Sequence, residues 1–186
     1  IKTQRDDIKV YFPGITPPSP DTKKSALINK FLNKAKELDL LDSCVFVNTE
    51  WTPYEQRANY LLEADAGISL HYDTIETRFA FRTRILDYIW AGLPIISSKG
   101  DSWADIIESK GLGLTIPCVD VDSLVKAIIK MADDTEFRNL CRNQIKMIAE
   151  EYKWTKLTEK LLLNFTNYEV NYEGSNISRW IRDKTQ

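Results

Sequence analysis

The sequence has few of the residues that metal sites and disulfide frameworks need. One of its 186 residues is a histidine, His71, and three are cysteines, Cys44, Cys118 and Cys141. The cysteines are widely spaced, odd in number and without CxxC spacing, which favours free buried thiols in a reducing compartment over disulfides or zinc. A single histidine cannot build a His-rich metal site. We therefore expect no metal and a cytoplasmic protein.

The chain also lacks long apolar runs and an excess of basic charge. No apolar run approaches the ~20 residues that span a bilayer, and the first residues, Ile1 to Asp7, do not resemble a signal peptide. The formal net charge is -2, whereas a nucleic-acid binder of this size is usually basic. These features disfavour a transmembrane protein and a nucleic-acid-binding protein. If the protein associates with a membrane, we expect it to do so peripherally, at the inner face.

The apolar residues, 43% of the chain, are arranged as short runs that alternate with amphipathic stretches. This alternation is typical of parallel βαβ units, and strands that are apolar throughout indicate a sheet covered on both faces. Trp90, Trp103 and Trp154 fall at helical apolar spacings and are predicted to be core residues. The predicted strands are 8–12, 44–47, 66–70, 94–97 and 114–116. The predicted helices are 23–38, 53–63, one that starts near 79–82 and ends at 92, 103–109 with Ser102 as its cap, 121–131, 135–152 and 154–165, and residues 71–78 are predicted to be a polar segment.

The loop after the third predicted strand, His71 to Asp87, has the highest concentration of charged residues. In parallel sheets, ligands bind beyond the carboxyl ends of the strands, and this loop leads into a helix whose N-terminus favours anions. Arg82 and Arg84 lie near that first turn, and arginine matches phosphate oxygens in bidentate geometry. We expect them to face a diphosphate, with Asp87 accepting hydrogen bonds from a ribose.

The same charges have a second interpretation as surface ion pairs. Glu76 could pair with Arg78, and Arg84 could pair with Asp87 one helical turn further on. Such pairs are common and contribute only ~0–1 kcal/mol each. Likewise, a lone histidine such as His71 is more often structural than functional.

Four segments in succession resemble one family. They are Asp65–Leu70, Arg84–Ser97 with its Ala91-Gly-Leu-Pro94 element, Gly111–Pro117 and Asp120–Ile128. Together they look like the C-terminal domain of GT-B glycosyltransferases, family 4 in particular, over roughly residues 8–151. The sequence from Thr77 to Tyr88 is similar to that of a branch of this family that acts on surface polysaccharides.

The resemblance implies a set of site residues. The family's donor motif is a pair of acidic residues, of which Asp87 matches the second, the ribose ligand, while Phe79 stands at the first. Glu76 or Asp73 is then the nearest carboxylate for the donor sugar. The backbone amides from Phe79 to Phe81 match the family's phosphate contact, although its glycines are absent here. The predicted catalytic residues are Glu76 and Arg82, and the predicted substrate-binding residues are Trp51, Thr52 and Pro53 (nucleobase), His71, Arg78, Phe79, Ala80, Phe81, Arg84 and Asp87.

The implied fold is a three-layer α/β domain, a Rossmann-like parallel sheet of about five strands with helices on both faces. The family's usual first strand and helix, with their basic pair, are not found, nor is its N-terminal acceptor-binding domain. We expect the donor-binding domain to cover residues 1–152, and a helix with a polar tail to cover 153–186. We also expect the strands to close up into the order 2-1-3-4-5, because unpaired central edges invite association.

The implied function is transfer of a sugar from a nucleoside-diphosphate sugar to a glycan or lipid-linked acceptor, with retention and without a metal or other cofactor. This chain would bind the donor and be inactive without the acceptor domain. Two alternatives stay open: a non-catalytic, flavodoxin-like nucleotide-binding module, and a nucleotide-sugar epimerase-like domain. The lack of further acid–base residues beside one histidine disfavours the epimerase.

Overall fold

A computed structural model describes residues 5–15 and 26–166 of the chain as alternating strands and helices. The helix predicted from residue 23 begins at Ala26 within these ranges, and the unassigned segment 171–186 lies outside them. The elements are β1 Val10–Phe12, α1 Ala26–Glu37, β2 Val45–Val47, a 3-10 turn Tyr54–Gln56, α2 Arg57–Glu63, β3 Gly67–Ser69, α3 Ile75–Phe79, α4 Arg84–Ala91, β4 Ile95–Ser98, α5 Ser102–Lys110, β5 Gly113–Ile116, α6 Val121–Asp133, α7 Thr135–Glu151 and α8 Trp154–Thr166.

The strands form two parallel sheets flanked by helices. One sheet has the order β1-β2, with Val10 opposite Val45, and the other has the order β3-β4-β5, with Gly67 opposite Ile95. The five strands and their parallel pairing are as predicted. Within the described residues no hydrogen bonds join β1 to β3, so the expected closure into one sheet of order 2-1-3-4-5 is wrong.

The interruption has a local cause at the edge of β3. The amide of Gly67 donates to Pro94 of the β4 side; because successive residues of a strand face opposite neighbours, the polar groups of Ile68 face away from β4. The Ile68 carbonyl accepts a hydrogen bond of 2.9 Å from the Tyr88 hydroxyl of α4. A side chain thus satisfies a group that another strand would otherwise pair with.

The core is centred on β4, whose four residues are all buried. Ile95 and Ile96 point to opposite faces of the sheet and are 0% and 1% exposed, so helices cover both faces. On one face Ile96 and Ile116 pack with Ala127 and Met131 of α6. This burial fixes the carboxyl ends of β3, β4 and β5 at one edge.

The tryptophan predictions hold for only one of three residues. Trp103 in α5 is fully buried, as predicted, but Trp90 is 64% and Trp154 is 81% exposed. Trp90 lies in α4 beside the buried Tyr88 and Ile89, and consecutive helical residues cannot all face inward. Helical spacing alone therefore did not identify the buried face.

Two helix boundaries also differ from prediction. Where one helix is predicted, starting near Phe79–Arg82 and ending at Gly92, the structure has two: α3 lies mostly in the segment predicted to be polar loop, and α4 begins at Arg84. The first begins inside the polar segment because the Thr74 hydroxyl accepts from the Thr77 amide, 3.2 Å. The cap of α5 is Asp101, not Ser102.

The chain divides into two compact units, Ile1–Ala149 and Glu150–Gln186. The first contains all five strands, and the second begins in the last turn of α7 and contains α8. The functional partition at residue 152 stays a prediction. No helix in the described ranges has the length and apolarity to cross a bilayer.

Candidate functional site

A buried carboxylate, Asp101, organises the loops that follow β3 and β4. Its side chain is 0% exposed. One oxygen accepts the Ala104 amide, 2.9 Å, and so caps α5. The other oxygen lies 3.2 Å from Nε of Arg82 and 3.3 Å from Nε2 of His71. Both partners belong to the predicted donor loop, so Asp101 ties this loop to the core.

The second arm of Arg82 extends the network into the loop itself. Its Nη2 donates to the Thr77 hydroxyl, 3.1 Å, and that hydroxyl donates to the Tyr72 carbonyl, 2.8 Å. Thr77 is buried. The network fixes the start, middle and end of the segment between His71 and Thr83.

His71 connects this network to the loops after β4 and β5. Its backbone amide donates to the Ser98 hydroxyl, 3.3 Å. Its Nδ1 lies 3.4 Å from the Tyr72 carbonyl and 3.9 Å from the sulfur of Cys118, which follows β5. The carboxyl ends of three neighbouring strands are thereby joined through one imidazole.

Arg84 and Asp87 occupy the first turn of α4 and face outward from this network. Arg84 is exposed and Asp87 half-buried. Neither takes part in an ion pair or side-chain hydrogen bond within the described residues. The ion pair considered between them is therefore not formed. Both lie close enough to Tyr88 to act on it: burial raises the pKa of this phenol, and the two charges oppose each other.

The N-terminus of α4 has no side-chain cap. Thr83 precedes the helix, and its hydroxyl does not bond to a helix amide. By contrast, Thr74, Asp101 and Asp120 cap α3, α5 and α6. The Ile85 amide donates to the Arg82 carbonyl, 3.0 Å, and the Leu86 amide donates to the Thr83 carbonyl, 2.9 Å, so backbone carbonyls take the place of a side-chain cap.

The remaining residues of the predicted loop are mostly exposed. Arg78 pairs with Asp73, 3.2 Å, rather than with Glu76, which is exposed. Phe79 is 86% exposed, whereas the Phe81 ring lies 5.3 Å from the ring of Trp103. The Ala80 amide donates to the Thr77 carbonyl, 3.2 Å, so this amide is not free for a phosphate as the loop stands.

The predicted nucleobase loop lies at the ends of β1 and β2. Thr52 is buried, its hydroxyl accepting from Asn48, 3.2 Å, and a side chain at Gly14 would contact it. Trp51 is 46% exposed, with the guanidinium of Arg57 5.4 Å from its ring centroid. Pro53 is exposed and precedes the 3-10 turn. The contacts of this loop are with its own neighbourhood rather than with the Asp101 network.

Two other kinds of site are not supported by the described residues. A depression of about 650 Å³ lies along α1, but all its lining residues belong to that one helix, from Ala26 to Glu37. It lacks polar groups converging from several loops, which binding sites usually have. No three side chains with carboxylate, imidazole or thiol groups in the described ranges are placed to hold a metal ion.

The sequence did not identify Asp101 as the centre of the site. The sequence predicts Ser102 as the helix cap and assigns no role to Asp101. Two features of the sequence could have indicated its role. Asp101 lies in the loop after β4, where ligand-binding residues are expected, and Arg82 lies near a helix N-terminus, where a positive charge needs a negative partner. Helix-capping aspartates are frequent, so this position gave little reason to expect a shared ion pair.

Comparison with known proteins identifies the fold. No family profile and no curated protein matches the chain. Among solved structures, WaaG, a glycosyltransferase involved in lipopolysaccharide biosynthesis, is 17% identical with a TM-score of 0.62, covering 87% of this chain and 39% of that one. Sucrose-phosphate synthase from Thermosynechococcus elongatus is 18% identical with a TM-score of 0.62, covering 84% of this chain and 37% of that one.

This chain thus spans about two fifths of the length of the structures it matches. The structural similarity extends over most of the present chain. Because the sequence identities are below 20%, the similarity shows a shared fold only. Its Rossmann-like architecture is the one that GT-B glycosyltransferases use for one of their two domains.

Proposed function

We propose that the chain is the donor-binding domain of a glycosyltransferase, one that transfers a sugar from a nucleoside-diphosphate sugar to a glycan or lipid-linked acceptor. The observation that carries this is the unpaired charge at the first turn of α4. Arg84 and Asp87 have no charged partner among the described residues, and α4 has no side-chain cap. They lie beyond the carboxyl end of β3, where α/β sheets bind ligands.

The diphosphate is assigned to the N-terminus of α4. The guanidinium of Arg84 supplies donors and positive charge, and the dipole of α4 favours an anion at this end of the helix. Arg82 uses Nε and one Nη2 hydrogen in the Asp101 network, so its Nη1 can also donate to a phosphate. Arg78 lies at the rim, where it is paired with Asp73.

The nucleoside and the sugar are assigned to the flanking residues. Asp87 accepts hydrogen bonds from the ribose, and the exposed Trp51 ring stacks on the base above Thr52 and Pro53. Glu76, Phe79 and His71 border the donor sugar. Stabilising the leaving diphosphate is the contribution of this domain to catalysis, and we expect retention of configuration without a metal.

The acceptor site lies on another domain of the whole protein. WaaG is involved in lipopolysaccharide biosynthesis, which supports a glycan or lipid-linked acceptor here, and hence work at a membrane surface on the cytoplasmic side. The present chain alone should bind the donor and turn over no substrate.

Isothermal titration calorimetry with UDP, GDP, their sugars and the matching mononucleotides tests the donor site. We expect diphosphate-dependent binding that weakens about tenfold or more in Asp87→Ala and in Arg84→Gln, since a hydrogen bond to a charged group is worth about 1.5–3 kcal/mol. Glu136→Ala and Arg142→Gln are matched controls, because both residues lie in α7 and Arg142 lies 3.7 Å from Asp65, which precedes β3 rather than following it. They should bind like the wild type.

Other outcomes favour other functions. Binding of mononucleotides as tight as of diphosphates, unaffected by Arg84→Gln, would support the nucleotide-binding module and contradict the transferase. Binding that falls equally in the α7 controls would show a general loss of folding rather than a donor contact.

A further inference from the structure

The three cysteines lie in different surroundings. Cys141 is almost fully buried in α7, and this burial raises the pKa of its thiol. Cys44 and Cys118 are both half-exposed and free. Only Cys118 has an imidazole nearby, with its sulfur 3.9 Å from Nδ1 of His71.

The imidazole beside Cys118 is held in place from its other side. The His71 side chain is 4% exposed, and its Nε2 lies 3.3 Å from the carboxylate of the buried Asp101. Nε2 thus faces this carboxylate, and Nδ1 faces the Cys118 sulfur, 3.9 Å away, and the Tyr72 carbonyl, 3.4 Å away. Asp101 and Arg82 are the charged groups that face this pair, and the positive charge of Arg82 is balanced by Asp101.

The Cys118 proton has two acceptors. In the present geometry the thiol donates to the Lys99 carbonyl, 3.1 Å. Rotation about the Cβ–Sγ bond redirects the hydrogen to Nδ1 of His71 without moving the sulfur. A half-exposed thiol beside a histidine that a carboxylate orients is the arrangement that activates cysteine as a nucleophile.

We propose that Cys118 is a nucleophilic modification site, activated by His71 and Asp101, whose natural co-reactants are hydroperoxides. His71 Nδ1 takes the thiol proton, and the sulfur attacks one peroxide oxygen. The S–O bond forms as the O–O bond breaks, and the departing oxygen takes the proton from His71. Sulfur loses two electrons to the peroxide, giving a sulfenic acid and water or an alcohol.

Oxidation here would act on the donor loop. A sulfenic oxygen on Cys118 would contact His71, and through Asp101 it would disturb Arg82. We expect the modified protein to bind nucleoside diphosphates more weakly, a consequence that rests on the proposed function. The reactivity of the thiol does not rest on it.

Alkylation with iodoacetamide at pH 7, followed by peptide mass spectrometry, measures the nucleophilicity of each thiol in one sample. We expect Cys118 to react about tenfold faster than Cys44, Cys141 to be slowest, and Cys118 to react faster in the folded protein than in urea. His71→Gln should bring Cys118 close to the rate of Cys44. Equal rates for the two half-exposed thiols, or slower reaction of Cys118 when folded, would overturn the proposal without depending on any variant.

Treatment with hydrogen peroxide and then dimedone traps the sulfenic acid. The adduct should appear on Cys118, and Cys118→Ser should carry none on its remaining thiols. An adduct on Cys44 instead, or none, overturns the peroxide chemistry.

Calorimetry with UDP and GDP then separates the two proposals. Peroxide should weaken binding to the wild type and leave Cys118→Ser unaffected. Unchanged binding after oxidation overturns the effect on the donor loop, while absence of binding before oxidation overturns the donor site and leaves the labelling results standing.

Discussion

Asp101 and Asp73 provide two aspartate–arginine pairs in adjacent loops, one buried and one exposed. The Asp101 side chain is 0% exposed beside Arg82, whereas Asp73 is 55% exposed beside Arg78. Removing one partner of a buried pair leaves an uncompensated charge, which is strongly destabilising, whereas exposed pairs contribute little. The pairs should therefore respond differently to the same change.

We expect Asp101→Asn to lower the free energy of unfolding by about 3 kcal/mol and Asp73→Asn by at most about 1 kcal/mol. Asparagine still accepts the Ala104 amide, so α5 stays capped and the loss is attributable to Arg82 and His71. Urea denaturation of both variants measures the difference, and hydrogen exchange should show faster exchange from Tyr72 to Thr83 in Asp101→Asn. Equal effects of the two substitutions would mean that the buried network does not hold the loop.

The role of a residue could be predicted where it depends on the residue's position in a strand, loop or helix. It could not be predicted where it depends on contact with a residue far away in the sequence. Arg84 was predicted near the first turn of a helix after the third strand, with Asp87 further into that helix, and both lie in the first turn of α4. The pairing of Arg82 with Asp101 was not predicted, because 19 positions separate the two residues and nothing local indicates which carboxylate an arginine will meet.

Among the elements, all five strands were predicted within two residues at each end. Short apolar runs bounded by turns are a strong signal. Helix α3 was not predicted because the segment from His71 to Arg78 is polar, and the start of α4 at Arg84 depends on contacts: Thr77 with Arg82, and Phe81 with Trp103.

Helix α4 approaches β3 closely at Gly67. A side-chain carbon at this position would lie 2.6 Å from the Tyr88 ring, which is buried and anchored by its hydroxyl to Ile68. The helix cannot retreat without breaking that bond. The position of Arg84 and Asp87 thus depends on the absence of a side chain in β3.

Gly67→Ala should destabilise the fold by about 1–3 kcal/mol, the usual cost of overpacking. A double-mutant cycle with Tyr88→Leu identifies the cause: if the ring is the obstacle, the double variant is less destabilised than the sum of the single variants. Thermal or urea unfolding of the four proteins gives the coupling. Strict additivity would indicate that alanine is harmful for another reason, such as the backbone geometry of β3.

Across the two sheets, the argument for closure failed because it considered only strands as partners for strand edges. Unpaired edges do invite association, yet proteins also cover them with side chains and helices. On β3 the Tyr88 hydroxyl takes the Ile68 carbonyl. On β1, Val10 and Phe12 bond to the β2 side, so the polar groups of Tyr11 face the open edge, beside the stacked ring of Tyr60, 5.0 Å away.

Removing the Tyr88 hydroxyl oxygen should remove this protection from the edge of β3. Tyr88→Phe keeps the ring over Gly67 and leaves the Ile68 carbonyl without its partner, at a cost of about 1–3 kcal/mol. Because a free carbonyl at an edge is a template for another strand, we expect sedimentation velocity to show self-association at lower concentration than for the wild type. Tyr60→Phe is the control, since it deletes a hydroxyl from a tyrosine beside β1 while leaving β3 intact. Self-association that is equal in the two variants, or unchanged from the wild type in Tyr88→Phe, would mean that the edge of β3 is shielded by more than the tyrosine hydroxyl.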